Sequence, residues 1–351
     1  MKKILVLFML IILTCGCTIQ KKSEPVNKSG LEILPLMSSE SVYNNRIWVG
    51  TFQLVWNDLM DELVKGDVEF AGGTPDIVKG LNRQEFKASD LSENSYYKKW
   101  GKASFTLRDE IKKGIKEKFN ETSDIISSID WSPAPSKYVI YAMLKKDFKF
   151  LHAFDKLEPE KFGYIDTKVD YFGIKPENKD VLAENIGVLF YNSKNDFAVK
   201  LHTQGNDAVY LYRTNDDKTF DKIYSDMTAK TEKYEGRKWF GDGDYFKAPF
   251  IKLYQEKLFD EVCGRHIIGT DLMIDKALET VDFSMDNEGV KLKSEAVIVT
   301  MKSAMPGRII EPRYFYFNDT FYLFLQEKYK KQPYFAMRID DVIAYNQTAK
   351  K

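Results

Sequence analysis

The spacing of apolar residues in the first third of the chain is typical of helices. Between positions 52 and 63 the apolar side chains recur three and four residues apart, at Phe52, Val55, Trp56, Leu59 and Leu63. They follow the strand-like run "NRIWVGT", so a short strand and then a helix buried on one side are predicted. In residues 104–129 the apolar positions are Leu107, Ile111, Ile115 and Phe119, with lysines between them. This second pattern predicts an amphipathic surface helix.

After "DWSPAPS", whose prolines end any helix, the pattern changes to that of short strands. The candidate strands are "KYVIYAML", "IGVLFYN", "FAVKLH", "DAVYLYR", "LETVDFSM", "YFYFNDTFYLFLQ" and "PYFAMRIDDV". They are β-branched or aromatic, and Asn, Asp and Gly separate them. Helices followed by mainly antiparallel strands predict an α+β fold, with no strand–helix alternation to indicate a dinucleotide or phosphate site.

Composition sets the class of protein. The 351 residues suffice for about two domains or for one large domain. Hydrophobic residues make up 44% of the chain and aromatic residues 14%, which predicts a large buried core and not a disordered chain. Basic and acidic residues number 52 each, so no net field attracts nucleic acid or acidic lipid, and no nucleic-acid partner is expected.

The N-terminus has the pattern of a secretory signal. Two lysines precede the apolar run "ILVLFMLIILT", which is too short to span a membrane comfortably. Gly16 before Cys17 resembles the cleavage site of bacterial lipoproteins, although Thr14 stands where those proteins usually have Leu. The resemblance implies a signal peptide at 1–16, lipid including palmitate on Cys17, and an extracytoplasmic chain anchored to the bacterial cell membrane. An ordinary secretory peptide and a membrane anchor are the alternatives.

The segment that follows, residues 17–41, is polar and contains Pro25 and Gly30, so a flexible tether is predicted there. After cleavage only Cys263 would remain as a free thiol, so no disulfide is expected.

Catalytic motifs are scarce. The sequence has three histidines and contains no H-E-x-x-H, no G-x-S-x-G and no P-loop, which argues against the corresponding enzymes. "CGRH" sets Cys263 three residues from His266, but such a pair is also ordinary in a core. "GDGD" at 241–244 lacks the further ligands of a calcium loop and is better explained as a surface turn. No enzyme activity, cofactor or metal is therefore expected.

The stretch "MDNEGVKLKSEAVIVTMKS", residues 285–303, alternates apolar and polar side chains after a turn-like Asn-Glu-Gly. It predicts either a solvent-edged strand or a loop that becomes a strand. Together with "RIIEPRYFYFNDTFYLFLQ" after it, the stretch resembles the C-terminal region of serpins, in which a hinge precedes a protease-bait loop and a Phe-x-x-x-Phe strand. Earlier segments, "NRIWVGTFQLVWNDLM", "GGTPDIVKGL" and "YVIYAMLKKDFKFLHAFD", are similar to serpin segments in the same order.

This resemblance implies a single serpin-like domain over residues 42–348. The expected fold has three mainly antiparallel β-sheets, about eight helices and an exposed reactive-centre loop. Serpin inhibitors are suicide substrates: a serine protease cleaves the bait bond, the freed loop inserts into the main sheet as a strand, and the acyl-enzyme is distorted. The resemblance thus implies a trypsin-like or subtilisin-like serine protease as partner, and the chain itself is expected to be a monomer.

The resemblance also assigns site residues. The hinge corresponds to Asn287, Glu288 and Gly289, and the inward positions of the inserting strand to Val290, Leu292, Ser294 and Ala296. The polar cluster that governs sheet opening corresponds to Gln53, Tyr141 and Asp275. The bait bond is placed at Lys302–Ser303, while the usual distance from the hinge glycine points to Ser303–Ala304.

One departure supports a second hypothesis. Serpin inhibitors have small residues where this chain has Leu292-Lys293-Ser294-Glu295, and bulk there slows insertion relative to deacylation. A non-inhibitory binding module on the same fold, at the cell surface, is therefore the alternative function.

Overall fold

The computed structural model of the chain describes residues 28–123, 125–134, 136–164, 166–291 and 311–346. Its α-helices are α1 (Thr51–Asp58), α2 (Asp76–Asn82), α3 (Phe105–Phe119), α4 (Lys179–Leu182) and α5 (Phe220–Lys233). Its strands are β1 (Lys28–Leu34), β2 (Tyr43–Val49), β3 (Tyr96–Lys102), β4 (Tyr138–Leu144), β5 (Phe148–Lys149), β6 (Asp155–Lys161), β7 (Lys168–Gly173), β8 (Ile186–Ser193), β9 (Asp196–Leu201), β10 (Asp207–Arg213), β11 (Asp244–Pro249), β12 (Ile251–Leu258), β13 (Arg265–His266), β14 (Met273–Ile274), β15 (Leu278–Met285), β16 (Gly289–Lys291), β17 (Arg313–Tyr316), β18 (Phe321–Glu327) and β19 (Phe335–Ile339).

The largest sheet has seven strands in the order β1-β2-β19-β18-β10-β9-β8. Its neighbours are antiparallel except for β1 and β2, which are parallel. Every residue of β18 and β19 is buried, as their continuous apolar runs predict for strands that are covered on both faces. This sheet forms the centre of the hydrophobic core.

The N-terminal strand β1 corrects the prediction of a polar tether over residues 17–41. Ile33, Leu34 and Leu36 are buried in the core, and β1 pairs with β2 along its edge. The sequence pattern did not predict this strand, because the few apolar residues of "LEIL" lie among polar ones. The strand forms because its backbone pairs with β2. Residues 17–27 lie outside the described residues.

A second sheet has four strands in the order β17-β11-β7-β6. The run "YFYFNDTFYLFLQ", predicted as one strand, is divided between this sheet and the large one. Arg213 holds the turn between the two strands, because its guanidinium donates to the Tyr316 carbonyl and to the side chains of Asn318 and Asp319.

The third sheet has the order β12-β15-β16-β5, and β3 and β4 form a separate two-stranded sheet. Helix α3 covers this pair of strands, with Leu107, Ile111 and Ile115 buried as the periodicity predicts. The helix ends at Phe119 and does not continue to 129, because Asn120 adopts a left-handed backbone with φ 54°.

The helix count differs from that implied by the resemblance, which was about eight. The described residues form five α-helices, and a π-helical turn, Leu59–Val64, continues α1. Short 3₁₀ turns supply the remaining helical segments at Ala88–Asp90, Glu93–Ser95, Ile126–Ser128, Pro176–Asn178, Ala183–Asn185 and Ile343–Tyr345. The α+β class and the several sheets are as predicted.

Candidate functional site

The predicted hinge is a tight turn that follows β15. The Asp286 carboxylate accepts hydrogen bonds from the backbone N–H groups of Glu288, at 2.8 Å, and Gly289, at 3.2 Å. Two carbonyl oxygens of the turn accept hydrogen bonds from the segment that follows β5. Phe154 N donates to Asn287 O at 2.8 Å, and Phe150 N donates to Glu288 O at 3.0 Å. These four bonds fix the direction in which the chain leaves β15.

Beyond the turn, the chain has already entered the sheet. Strand β16 pairs antiparallel with β15, through Met285↔Val290, and antiparallel with β5, through Val290↔Phe148. Val290 is fully buried. Gly289, Val290 and Lys291 therefore form a strand between two others.

Gly289 allows β16 to pair closely with β5, because no side chain would fit at this position. A Cβ there would lie 2.3 Å from the Phe148 carbonyl oxygen and 2.7 Å from the Lys149 Cα. The backbones of β16 and β5 approach too closely for any residue other than glycine.

Below β16 the described residues place no strand between β4 and β15. Strand β15 pairs with β16 only at Ser284 and Met285, and among the described residues its part from Leu278 to Phe283 has a strand neighbour only on the β12 side. Strand β4 likewise pairs only with β3 within the described chain. We call the space between β4 and β15 the slot.

The slot is a cavity of about 600 Å³ with mainly apolar walls. Helix α1 lies beneath it and contributes Phe52, Val55 and Trp56, while β4 contributes Ile140 and Ala142. On β15 the residues at odd positions from 279 to 285 are buried, so that strand shows the period of two expected when one face packs on the core. The slot is thus shaped for an extended segment with alternating side chains.

Buried ion pairs hold the wall of the slot in place. Lys146 lies in the link between β4 and β5, is buried, and pairs with Asp207 at 2.9 Å and with Glu327. Glu327 also accepts hydrogen bonds from Ser92 N and from the Ser95 hydroxyl. Because Asp207 and Glu327 belong to the large sheet, this cluster ties the slot to the centre of the core.

The three residues assigned to the sheet-opening cluster do not form one polar group. The Gln53 amide donates to the Asn57 side chain and to the Leu81 carbonyl, both at 2.8 Å. Tyr141 is buried in the hydrophobic cluster beneath α3, and Asp275 is exposed before β15 begins.

The buried acid that faces α1 is Glu279, which the sequence comparison with serpins missed. Its Oε1 accepts a hydrogen bond from Phe52 N at 3.2 Å. Burial raises the pKa of Glu279 to about 8, and the Phe52 N–H group acts in the opposite direction. The signal was present in "LETVDFSM", where Glu279 shares the period-two face of Val281 and Phe283.

The far end of the loop is anchored by an ion pair. Arg313, the first residue of β17, donates from Nε at 3.0 Å and from Nη2 at 2.9 Å to the two carboxylate oxygens of buried Asp244. Arg237 also donates to Asp244, at 2.6 Å. The "GDGD" segment that was predicted as a surface turn therefore ends in a buried anchor.

Cys263 has the surroundings of a structural thiol. Its Sγ donates to the Phe259 carbonyl at 3.3 Å, and burial raises the pKa of the thiol, which disfavours a nucleophilic thiolate. Within the described ranges no group of three or more His, Cys, Asp or Glu residues is arranged to hold a metal ion, and no helix there is long and apolar enough to cross a membrane.

Several predicted site residues lie outside the described residues. They are Leu292, Ser294 and Ala296 of the hinge strand, Lys302 and Ser303 of the bait bond, and Cys17 of the lipid anchor.

Comparison with solved structures identifies the fold. Serpin48 of the insect Tenebrio molitor matches with a TM-score of 0.51 and 12% identity, over 87% of this chain and 93% of that chain. Mouse protein-Z dependent protease inhibitor gives a TM-score of 0.49 at 16% identity, over 85% and 91% of the two chains. Human thyroxine-binding globulin gives 0.46 at 9% identity, over 84% and 98%. The match to Serpin48 shows that this chain has a serpin-like fold.

No protein-family profile matches the chain, and no curated protein sequence matches it.

Proposed function

We propose that this chain inhibits serine proteases of the trypsin-like or subtilisin-like kind as a suicide substrate. In this account a protease cleaves the loop that follows the hinge, and the freed loop continues β16 down the slot. The observation that carries the proposal is the combination of a strand that has begun between β15 and β5 with an open, apolar slot directly below it.

The register of β16 gives the proposed path. Met285 pairs with Val290 and Ser284 with Lys291, so each further residue of an inserting strand would meet the preceding residue of β15. Extension of this register would bring residues 292–297 opposite 283–278. On the other side, the pairing of Val290 with Phe148 would extend to β4, so the new strand would be bonded on both edges.

The alternation of the loop suits the two faces of this path. Leu292, Ser294 and Ala296 would face inward, where Val281 and Phe283 already lie, and Lys291, Lys293 and Glu295 would face solvent. Direct cross-strand partners share a face, so Ala296 would be opposite the buried Glu279, where its small side chain leaves room for the carboxyl group.

Insertion would release free energy because the slot, as the described residues line it, leaves apolar surface of the core uncovered. Each hydrogen bond formed along the new strand contributes about 1 kcal/mol net, and apolar side chains that enter the slot remove further surface from water. The intact state would thus be metastable, as suicide inhibition requires, and the Arg313–Asp244 anchor would hold the distal end of the loop during cleavage.

The bait bond is proposed at Lys302–Ser303, since a lysine before the cut suits a protease with an acid at the base of its specificity pocket. The test is incubation with trypsin and with subtilisin, followed by denaturing electrophoresis. A covalent complex that survives denaturation supports inhibition. We expect Lys302→Glu to abolish the complex with trypsin, with Lys331→Glu, a substitution outside the loop, as the control.

The alternative, a non-inhibitory binding module, rests on the bulk of Leu292 and the charges of Lys293 and Glu295. It predicts that protease cleaves the loop without any covalent complex, and that the cleaved chain unfolds at the same temperature as the intact one. Either result obtained alone would count against inhibition, and the two together would exclude it.

The location of the chain is also a proposal. Lipid on Cys17 would attach it to the extracytoplasmic side of a bacterial cell membrane, and the several acyl chains of a bacterial lipoprotein would be sufficient for stable anchoring. Labelling with palmitate should mark the wild-type chain and should fail with Cys17→Ala, which should also be released from the membrane fraction.

A further inference from the structure

Three cations form a row along one side of helix α3. Arg108, Lys112 and Lys116 are four residues apart, which places them about 6 Å from one another along the helix axis. Each of them directly follows one of the buried residues of the helix, which are Leu107, Ile111 and Ile115. The row therefore lies beside the face of α3 that packs on β3 and β4.

This row lines a groove between α3 and the segment that follows the helix. The groove has a volume of about 770 Å³, which is in the range of ligand sites, and Thr122, Ser127 and Ile129 of the following segment also line it. Phe105 lines it at the start of the helix and is 55% exposed. From Phe105 to Lys116 the helix is about 17 Å long, which is the length of about five residues of an extended peptide.

Two of the three cations have no counterion in the structure. Arg108 forms an ion pair with the exposed Asp109 at 2.9 Å. Lys112 and Lys116 are both exposed, and among the described residues neither takes part in an ion pair. Their charges are therefore available to a ligand in the groove.

The acids that line the groove are already paired with lysines outside it. Glu121 pairs with Lys145 at 2.8 Å, and Asp130 pairs with Lys137. Since these lysines offset the two carboxylates, the described part of the groove has an excess of positive charge. An anionic ligand is complementary to it.

We propose that this groove binds an acidic segment of a partner protein in extended conformation. Alternate side chains of an extended chain lie on one side, about 6.6 Å apart, which is close to the 6 Å step of the cations. Carboxylates at the first, third and fifth positions would each meet one cation. The two residues between them would face away from α3, and apolar side chains there suit Ile129 and the exposed ring of Phe105, which a sulfated glycan does not.

Binding of short peptides to the full chain tests the proposal, which does not depend on protease inhibition. The probe is Glu-Leu-Glu-Leu-Glu with rhodamine at its N-terminus and an amide at its C-terminus. The matched peptide, Glu-Glu-Glu-Leu-Leu, has the same composition and charge but a different spacing of acids. Fluorescence anisotropy is measured at about 20 mM ionic strength, where the screening length is about 20 Å. We expect the alternating peptide to bind about fivefold more tightly, because one exposed ion pair changes an affinity by up to about this factor.

Two neighbouring lysines of α3 give a matched pair of variants. Lys112→Glu reverses a charge in the groove and should weaken binding of the alternating peptide about tenfold, since it replaces an attraction by a repulsion. Lys113→Glu makes the same change in net charge at the next position, which does not line the groove, and should alter the affinity less than about twofold. Both lysines are exposed, so neither change disturbs the core.

The results that would overturn the proposal are specific. Equal affinities for the two peptides, or equal weakening by Lys112→Glu and Lys113→Glu, would show a response to net charge alone. Phosphatidylglycerol vesicles and heparin are tested beside the peptides. If either binds in a manner that depends on Lys112 while the alternating peptide does not bind, the groove recognises that polyanion and the proposal is wrong.

Trapping of trypsin is measured separately on the same preparations. A chain that binds the alternating peptide through Lys112 but forms no covalent complex with trypsin would uphold this proposal and remove the inhibitor proposal. A chain that traps trypsin but binds neither peptide would do the reverse.

Discussion

The Gly289 Cα lies so close to Phe148 that a Cβ on Gly289 would be 2.3 Å from the Phe148 carbonyl oxygen. Since the contact is with backbone, no rotamer change can relieve it. We expect Gly289→Ala to displace β16 from between β15 and β5 and to lower the free energy of unfolding by about 1–3 kcal/mol, as overpacked sites do. Chemical denaturation measures this change.

Gly66 supplies the matched control for that substitution. A Cβ at Gly66 would meet no atom within 4 Å, so Gly66→Ala should leave stability nearly unchanged. If the two substitutions lower the free energy of unfolding equally, the backbones of β16 and β5 do not approach as closely as described.

Val290 tests the inward face of the hinge strand. Val290→Arg would place a charge in a fully buried position without a partner, which costs several kcal/mol, so β16 should leave the sheet. The variant should be cleaved by protease as an ordinary substrate and should form no covalent complex. Val42→Arg makes the same change at an exposed valine, and full trapping by Val290→Arg would exclude insertion at this position.

Arg313 tests the distal anchor. Arg313→Met would leave the Asp244 carboxylate buried with Arg237 as its ion-pair partner and the Gly241 N–H group as a hydrogen-bond donor, and we expect a loss of about 3 kcal/mol in the free energy of unfolding. Arg83→Met removes an exposed ion pair with Glu85 and should cost less than about 1 kcal/mol. If both variants lose the same small amount, β17 is not anchored through Asp244.

Glu279 makes stability depend on pH in a defined direction. The pKa of Glu279 is about 8 in the folded chain, against 4.5 for an ordinary glutamate, so the unfolded chain releases this proton first. The free energy of unfolding should therefore fall as pH rises from about 4.5 to about 8, by up to about 1.4 kcal/mol per pH unit, and level off above that range.

Comparison with Glu279→Gln isolates this contribution, because all other groups titrate in both proteins. The stability of the variant relative to the wild type should increase between pH 5 and pH 8 in urea denaturation. A difference that stays constant over this range would mean that Glu279 is ionised in the folded chain.

The sequence was sufficient to predict the helices and strands whose apolar residues recur with a clear period. The period of two in "LETVDFSM" placed β15, and the four-residue spacing of Leu107, Ile111 and Ile115 placed α3. The end of α3 was not predictable from apolar spacing, because it depends on the left-handed backbone of Asn120. Strand β1 was missed because its stability comes from pairing with β2 and not from its own composition.

Only part of the candidate site could be predicted from the sequence. Resemblance to serpins indicated the hinge, yet the slot exists only because β4 and β15 are held apart in three dimensions. Glu279 went unrecognised although it shares the period-two face of Val281 and Phe283, because acidic side chains are mostly exposed and burial of this one was not expected. Asp275, assigned to the same role, is exposed because it precedes β15.

Hydrogen–deuterium exchange of the β15 amides tests the central claim most directly. The amides of residues 278–283 should be measured in the intact chain and after proteolytic cleavage within residues 292–310, with Val290→Arg treated in the same way. The account predicts that cleavage strongly slows exchange in wild-type β15, because a new strand fills the slot, and leaves Val290→Arg unchanged. Wild-type exchange that is unaffected by cleavage would contradict strand insertion.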